Sequence, residues 1–168
     1  MKILITGLPG TGKSTISKAL REKGVLSIDF SDVSGMCFWQ NKETKEKLKY
    51  SPIQTREWFE FNERICDLEK LKEMLNQHEN IIMTGLAMGN QKEYLPLFDK
   101  VILLRCSPNV IVYRMQTRVA PYGKTKTERD EAIGKQKEFD DLILSCGAIP
   151  INNDGPISAV IDNIISKL

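Results

Sequence analysis

Five short apolar runs mark out the chain: Lys2–Thr6, Val25–Asp29, Asn80–Thr84, Lys100–Arg105 and Ala148–Asn152. They are continuous rather than alternating, the pattern of strands covered on both faces. The intervening segments follow helical spacing. Ser14–Lys23 sets Ile16, Ala19 and Leu20 on one face, and Ile53–Gln77 carries Trp58, Phe61, Ile65, Leu68, Leu71 and Leu75 at intervals that predict one long helix. Ser107-Pro108 predicts an N-cap with proline at the first helical position, opening a helix to about Arg118. Thr127-x-x-Asp130 reads as a capping box for the next helix, with Gly147 placed to stop it. Pro156 opens the last helix, whose Ile157, Val160, Ile161, Ile164, Ile165 and Leu168 form one stripe. Strands alternating with helices predict an α/β protein, a five-stranded parallel sheet in a three-layer α/β/α domain. Two stretches depart from this rhythm. Ser34–Pro52 is polar with scattered aromatics, including Cys37-Phe38-Trp39, and Val119–Lys126 holds Pro121, Gly123 and two lysines.

A chain of 168 residues suits one domain, here spanning 1–168, without internal repeat or linker. The near balance of 24 basic and 22 acidic residues argues against a dedicated nucleic-acid face. The four cysteines are widely spaced, with no C-x-x-C, so neither a zinc site nor a disulfide framework is expected, and Cys106 and Cys146 read as small buried hydrophobes. No apolar run approaches the roughly 20 residues that cross a bilayer, and the first residues read as a strand rather than a signal peptide. A cytoplasmic monomer with no membrane partner is the expectation.

The chemistry sits at the end of the first strand. Gly7-Leu8-Pro9-Gly10-Thr11-Gly12-Lys13-Ser14 matches G-x-x-x-x-G-K-[ST] between a predicted strand and a predicted helix, the context that gives this motif its meaning. Its glycines let the backbone wrap around phosphate oxygens, and the helix beginning near Ser14-Thr15 adds its positive end. Lys13 is placed to reach the β/γ-phosphates of ATP and Ser14 to ligate Mg²⁺.

The order of further residues carries a resemblance. The second strand ends Ser27-Ile28-Asp29-Phe30-Ser31-Asp32; the fourth reads Asp99 to Pro108; Arg114-x-x-x-Arg118 precedes the stretch Val119–Lys126; Ala148 to Asn153 leads to the final helix. In these features the whole chain resembles the small P-loop kinases, the group of adenylate, shikimate and gluconate kinase. The resemblance implies ATP-dependent phosphoryl transfer to a small-molecule acceptor, with an acceptor-binding insert at about 34–77 and a mobile lid at about 119–126. It implies one of Arg114 and Arg118 against adenine and the other on the phosphates, Arg129 on the transferring group, Asn153 beside the nucleotide, and Gly85 beside the acceptor. Guanidinium forks suit that use, because phosphoryl transfer is mainly positioning and charge stabilisation.

The chain departs from the group in three places. Ile81-Ile82-Met83-Thr84-Gly85 ends without the aspartate many ATPases use for Mg²⁺, which speaks against a motor ATPase and leaves Asp29 to orient metal-bound water. Leu86-Ala87-Met88-Gly89-Asn90 lacks the arginine with which nucleoside monophosphate kinases grip an acceptor phosphate. The mid-chain helix is long and aromatic. A GTPase reading fails, since Asp32-Val-Ser-Gly35 lies too close to the P-loop and Asn41-Lys42-Glu43-Thr44 has no guanine-reading aspartate. Asp29 and Asp32 suit a hydroxyl acceptor that gives up a proton, on a sugar, an acid or a nucleic-acid end. Arg56 and Arg64 suit an acceptor phosphate of a nucleotide or similar metabolite, although Glu60 between them also fits a solvated ion-pair ladder. A regulatory protein hydrolysing ATP slowly is the reading from another class.

Overall fold

The computed structural model describes residues 1–50 and 54–167. The predicted positions Pro52, Ile53 and Leu168 lie outside them. Strands β1 (Lys2–Thr6), β2 (Ser27–Asp29), β6 (Ile81–Thr84), β7 (Lys100–Arg105) and β8 (Ile149–Asn152) form one sheet in the order β2-β6-β1-β7-β8. Every neighbouring pair in it is parallel. The pleat explains the continuous apolar runs. Ile3 and Ile5 join Ile82, Ile102, Leu104 and Ile151 against Ile16 and Leu20 of α1 (Lys13–Glu22) and Val160, Ile161 and Ile164 of α8 (Ile157–Ile165). Leu4, Met83, Val101 and Leu103 face the other way, onto α3 (Leu68–Asn76), α5 (Pro108–Thr117) and α7 (Gln136–Ser145) through Leu71, Leu75, Ile111, Met115, Phe139 and Ile143. These are the three predicted layers. Each such side chain contributes about 1.5–3 kcal/mol on burial.

The expected long helix is replaced by three elements: α2 (Arg56–Phe61), β5 (Asn62–Cys66) and α3. The Asn62 side-chain amide donates to the Trp58 carbonyl at 2.8 Å and closes α2, and the chain turns extended there (φ −127°, ψ 151°). Asp67 then caps α3 by accepting from the Lys70 N–H at 3.1 Å. Within the irregular stretch of the sequence lie β3 (Cys37–Asn41) and β4 (Lys47–Leu48), which join β5 in an antiparallel sheet ordered β4-β3-β5. Phe61, Ile65 and Leu68 fit a helical period, but Asn62, Arg64 and Cys66 form one face of a strand, and pairing with β3 decides between the two patterns.

The outer edge of β5 is met by the Asn90 side chain and the Gly89 backbone. Asn90, buried after β6, accepts the Cys66 N–H at 2.9 Å and donates to the Cys66 carbonyl at 2.8 Å, while Gly89 N–H reaches the Arg64 carbonyl at 2.9 Å. This ties the small sheet to the large one.

Two helix boundaries also differ. The capping box is Thr125-x-x-Glu128, two residues earlier than Thr127-x-x-Asp130, because the Glu128 side chain reaches back to the Thr125 N–H. It opens α6 (Lys126–Gly134), and a break at Lys135 separates it from α7. Gly147, with φ +82°, follows α7 as expected. Cys106 is buried, but Cys146 is exposed at the end of α7, contrary to the sequence reading. Among the described residues no helix is long and apolar enough to cross a membrane.

Candidate active site

The connection after β1 runs to β2 on one side of it and the connection after β6 crosses to β7 on the other, so the strand order reverses at the carboxyl end of β1, the position where open α/β sheets hold ligands. The loop from Gly7 to Ser14 sits there. Gly12 is left-handed at φ +93°, and a Cβ on it would lie 2.6 Å from the Asn153 amide nitrogen, so glycine is required on both counts. Asn153 is buried and donates to the Thr11 carbonyl at 2.7 Å, bracing the loop from β8. The Thr11 hydroxyl turns back to the Leu8 carbonyl at 2.8 Å. Thr15 is exposed at the start of α1 and Pro9 borders the cleft.

Lys13 folds over the loop, its ammonium donating to the Gly7 and Leu8 carbonyls at 2.6 and 3.0 Å. Its stem keeps some solvent contact while the ammonium sits deep, and burial lowers its pKa to about 7; Asp29 pulls it upward, and Arg118 and Arg64 lower it further. Asp29 ends β2 with both carboxylate oxygens saturated. Oδ2 accepts from the Ser14 and Thr84 hydroxyls, each at 2.8 Å, and Oδ1 from the Ser31 N–H at 2.9 Å and hydroxyl at 2.6 Å. Burial pushes this carboxyl upward, but the bonds from Ser31, Ser14 and Thr84 outweigh it and hold the pKa below the usual carboxylate value. A hydroxyl beside a carboxylate is a hard-oxygen set of the kind Mg²⁺ takes together with phosphates. Among the described residues no cluster of three His, Cys, Asp or Glu side chains forms a metal cage of its own.

In front of Lys13 opens a cleft of about 650 Å³. Arg64 of β5 and Arg118, just past α5, border it, as do Asp29, Gly85, Gln91 and Pro121. Three rings of its wall, Trp39, Tyr50 and Tyr122, adjoin one another, with Trp39 and Tyr50 stacked 5.6 Å apart at 17°. Gln91 is buried with its Oε1 atom unpaired, as is Nε of Arg118. The Tyr122 end of the cleft is fixed by Glu128, a fully buried carboxylate that accepts from the Tyr50 hydroxyl and from the Gly123 N–H at 2.9 Å. Burial raises its pKa, and the bonds from Tyr50 and the Thr125 and Gly123 backbone bring it below the ordinary value.

Of the remaining sequence candidates, Arg114, Asp32, Arg56 and Arg129 stand outside the cleft wall. Arg114 lies behind the loop, its Nη1 at 3.3 Å from the Cys106 sulfur, rather than in the cleft wall. Asp32 is half exposed and meets Arg21 at 3.4 Å, and Arg56 is 83% exposed and pairs with Glu60 at 3.8 Å, so neither is brought to the cleft. Arg129 donates to the Gly123 and Lys124 carbonyls at 3.0 and 2.7 Å and braces the segment before α6. Gly85 has a packing reason for being glycine, since a Cβ on it would lie 2.2 Å from Cγ of the buried Phe30. Gly85→Ala is therefore expected to destabilise the fold by about 1–3 kcal/mol, the usual cost of overpacking. An unchanged melting temperature would show that Phe30 yields freely. Sequence reasoning missed Gln91, Asn90, Tyr50, Tyr122 and Glu128. Only Glu128 left a signal, the threonine three residues before it.

Comparison with known proteins gives a consistent picture. A family model described as an AAA domain matches residues 3–135. A protein of Methanocaldococcus jannaschii named putative adenylate kinase is 32% identical over 70% of this chain and 59% of its own length. A shikimate kinase of Bacillus cereus is 33% identical over 68% of this chain and 66% of its own. The chain thus spans only about three fifths to two thirds of these relatives. The solved structure of deoxyadenosine kinase from M. mycoides with bound dATP has the same fold, with a TM-score of 0.58 at 20% identity, covering 99% of this chain and 98% of that one.

Proposed function

The chain belongs to the AAA domain family, and from that premise we propose that it is an ATP-dependent phosphotransferase whose acceptor is a small molecule already carrying a phosphate, a nucleotide in the manner of the nucleoside monophosphate kinases. The observation that carries this reading is the convergence of Lys13, Arg64 and Arg118 around one cleft, with Asp29 as the anion acting on Lys13. Burial is the largest cause of the low Lys13 pKa, and Arg118 and Arg64 lower it further against Asp29; a polyanion seated between these three cations would relieve all of them, in a cleft that Glu63, Glu131 and Glu138 also line.

In this reading the loop N–H groups and Lys13 hold the ATP phosphates, Ser14 and Asp29 would hold Mg²⁺, and Arg64 grips the acceptor phosphate. Bound Mg²⁺ supplies neutralisation of the charge on the β- and γ-phosphoryl oxygens. Arg118 spans both substrates, and Arg114 and Asn153, behind the loop, would meet only the nucleoside end of ATP where it passes over the loop's far side. The segment 119–126 closes over the site and excludes water, and residues 34–77 supply the acceptor wall. The aromatic wall and the unpaired Gln91 Oε1 suit a planar ring with an N–H donor.

The saturation of Asp29 supports the phosphate class of acceptor. Four donors occupy its lone pairs and its pKa is depressed, so it is a poor proton acceptor. Asp32 stands outside the cleft. A phosphate acceptor needs no base. The test is ADP release from ATP in the presence of nucleoside monophosphates, nucleosides and small hydroxylated acids. Turnover is expected with monophosphates. Arg64→Ala is expected to raise the acceptor KM about 30-fold, the loss of one charge-assisted contact of about 2 kcal/mol, with the ATP KM nearly unchanged. Turnover with hydroxyl acceptors alone, insensitive to Arg64, would overturn the assignment.

A further inference from the structure

Two cysteines that are far apart in the sequence are brought opposite each other at the cleft. Cys37 of β3 and Cys66 of β5 are direct cross-strand partners. They form a non-hydrogen-bonded pair, because both backbone groups of Cys66 point outward to the Asn90 side chain. Such pairs are the narrow ones of an antiparallel ladder, with Cα atoms about 4.5 Å apart, inside the range a disulfide spans without backbone movement. Both thiols are free, and cross-strand partners project to the same face of the sheet.

Their environments differ in a useful way. Cys37 borders the cleft and is partly exposed, whereas Cys66 is only 1% exposed and lies behind it. A small oxidant entering the cleft therefore meets Cys37 first. Trp39 and Arg64 follow on the same sheet face, two pairs further along. The neighbouring Cys66 thiol, and with it the Arg64 guanidinium, keeps the Cys37 thiol below its ordinary pKa against the opposing effect of burial. That is the cation-flanked, partly accessible setting in which thiolates react.

We propose that Cys37 and Cys66 form a hydroperoxide-sensitive dithiol, a redox modification site in the wall of the cleft, with Cys37 as the attacking sulfur and Cys66 as the resolving one. In the first step the Cys37 thiolate attacks a peroxide oxygen. The O–O bond breaks, Cys37 becomes a sulfenic acid, and the peroxide leaves as an alcohol or water carrying the proton. In the second step the Cys66 sulfur attacks the Cys37 sulfur. The S–O bond breaks, the S–S bond forms, and water departs with the thiol proton. The two cysteines lose two electrons in total, and one peroxide gains them. The site is independent of which acceptor the cleft takes, and its test reads thiol chemistry rather than turnover.

The full-length chain is exposed to a small excess of hydrogen peroxide, quenched with iodoacetamide, digested and mapped by mass spectrometry. The exposed Cys146 serves as the internal control. The Cys37–Cys66 linked peptide is expected to appear before Cys146 oxidises and to vanish on treatment with dithiothreitol. In Cys66→Ser, Cys37 is expected to accumulate as a sulfenic acid trapped by a dione reagent, and in Cys37→Ser, Cys66 is expected to stay reduced. Circular dichroism confirms that each variant is folded. Should Cys66→Ser fail to fold, the wild-type map and Cys37→Ser decide the matter. Recovery of Cys37 and Cys66 as separately alkylated peptides after Cys146 has been oxidised would overturn the proposal, as would peroxide oxidation of Cys66 in Cys37→Ser.

Discussion

Lys13→Ala is expected to lower phosphoryl transfer by about 10²–10³-fold or more, the scale set by removing one preorganised donor to developing charge, and to leave the protein at least as stable at neutral pH. The second half of this expectation follows from the environment of the ammonium. Its pKa in the folded chain is about 7, against an ordinary 10.5. The unfolded chain therefore binds more protons than the folded one between those values, and this group makes stability rise with pH across that window. Below pH 7 its burial cost is present in full, on the order of 5 kcal/mol before any discount for residual solvent contact. Alanine removes that cost, so the melting temperature should hold or rise at pH 6–7, and the gain should shrink toward about pH 10. Phosphates would raise the Lys13 pKa again, so ATP binding should take up a proton above pH 7. Calorimetry at pH 8 in buffers of different ionisation enthalpy should show that uptake in the wild type and not in Lys13→Ala. Full turnover in the variant, or a large fall in its melting temperature, would place Lys13 in the architecture instead of the phosphate site.

The large sheet and its helices were legible because each is specified locally. Residues such as Ile3, Leu4 and Ile5 are apolar on both faces of a strand, and Gly12-Lys13-Ser14 opens a helix in a single short motif. The acceptor side was not legible for the opposite reason. β5 exists because β3 pairs with it, and the apolar spacing of Phe61, Ile65 and Leu68 reads equally well as a helix until that pairing is known. Arg56 and Arg64 looked equivalent at helical spacing. Once the helix ends at Phe61, Arg64 sits on the cleft wall and Arg56 in solvent with Glu60. Asp29 and Asp32 likewise looked interchangeable, and only the positions of Thr84 and Arg21 separate them. Contacts such as Cys37–Cys66 and Tyr50–Glu128 join distant segments of chain, and no local pattern announces them.

Asp29→Asn is expected to lower turnover by about 10–100-fold, the usual effect of losing an outer partner of a metal site, and extra Mg²⁺ should restore part of it. The carboxylate receives four hydrogen bonds through two oxygens, two of them from Ser14 and Thr84. An amide offers one oxygen and a donor, so at least one pair of those hydroxyls and N–H groups loses its acceptor. Ser14 is then no longer held for the metal, and apparent Mg²⁺ affinity should fall more than ATP affinity measured without metal. A general base would behave differently. Its loss is not repaired by Mg²⁺, and it removes the acid limb of the pH–rate profile. Stability gives an independent check. The folded pKa of Asp29 lies below its ordinary value of 3.8, so its stabilising contribution is present above that pH and disappears as pH falls through the folded pKa. The melting-temperature difference between wild type and Asp29→Asn should therefore be large at pH 7 and shrink as the pH falls below 3.8. A variant with lost turnover, no Mg²⁺ rescue and a flattened acid limb would instead make Asp29 the base and return the acceptor to the hydroxyl class.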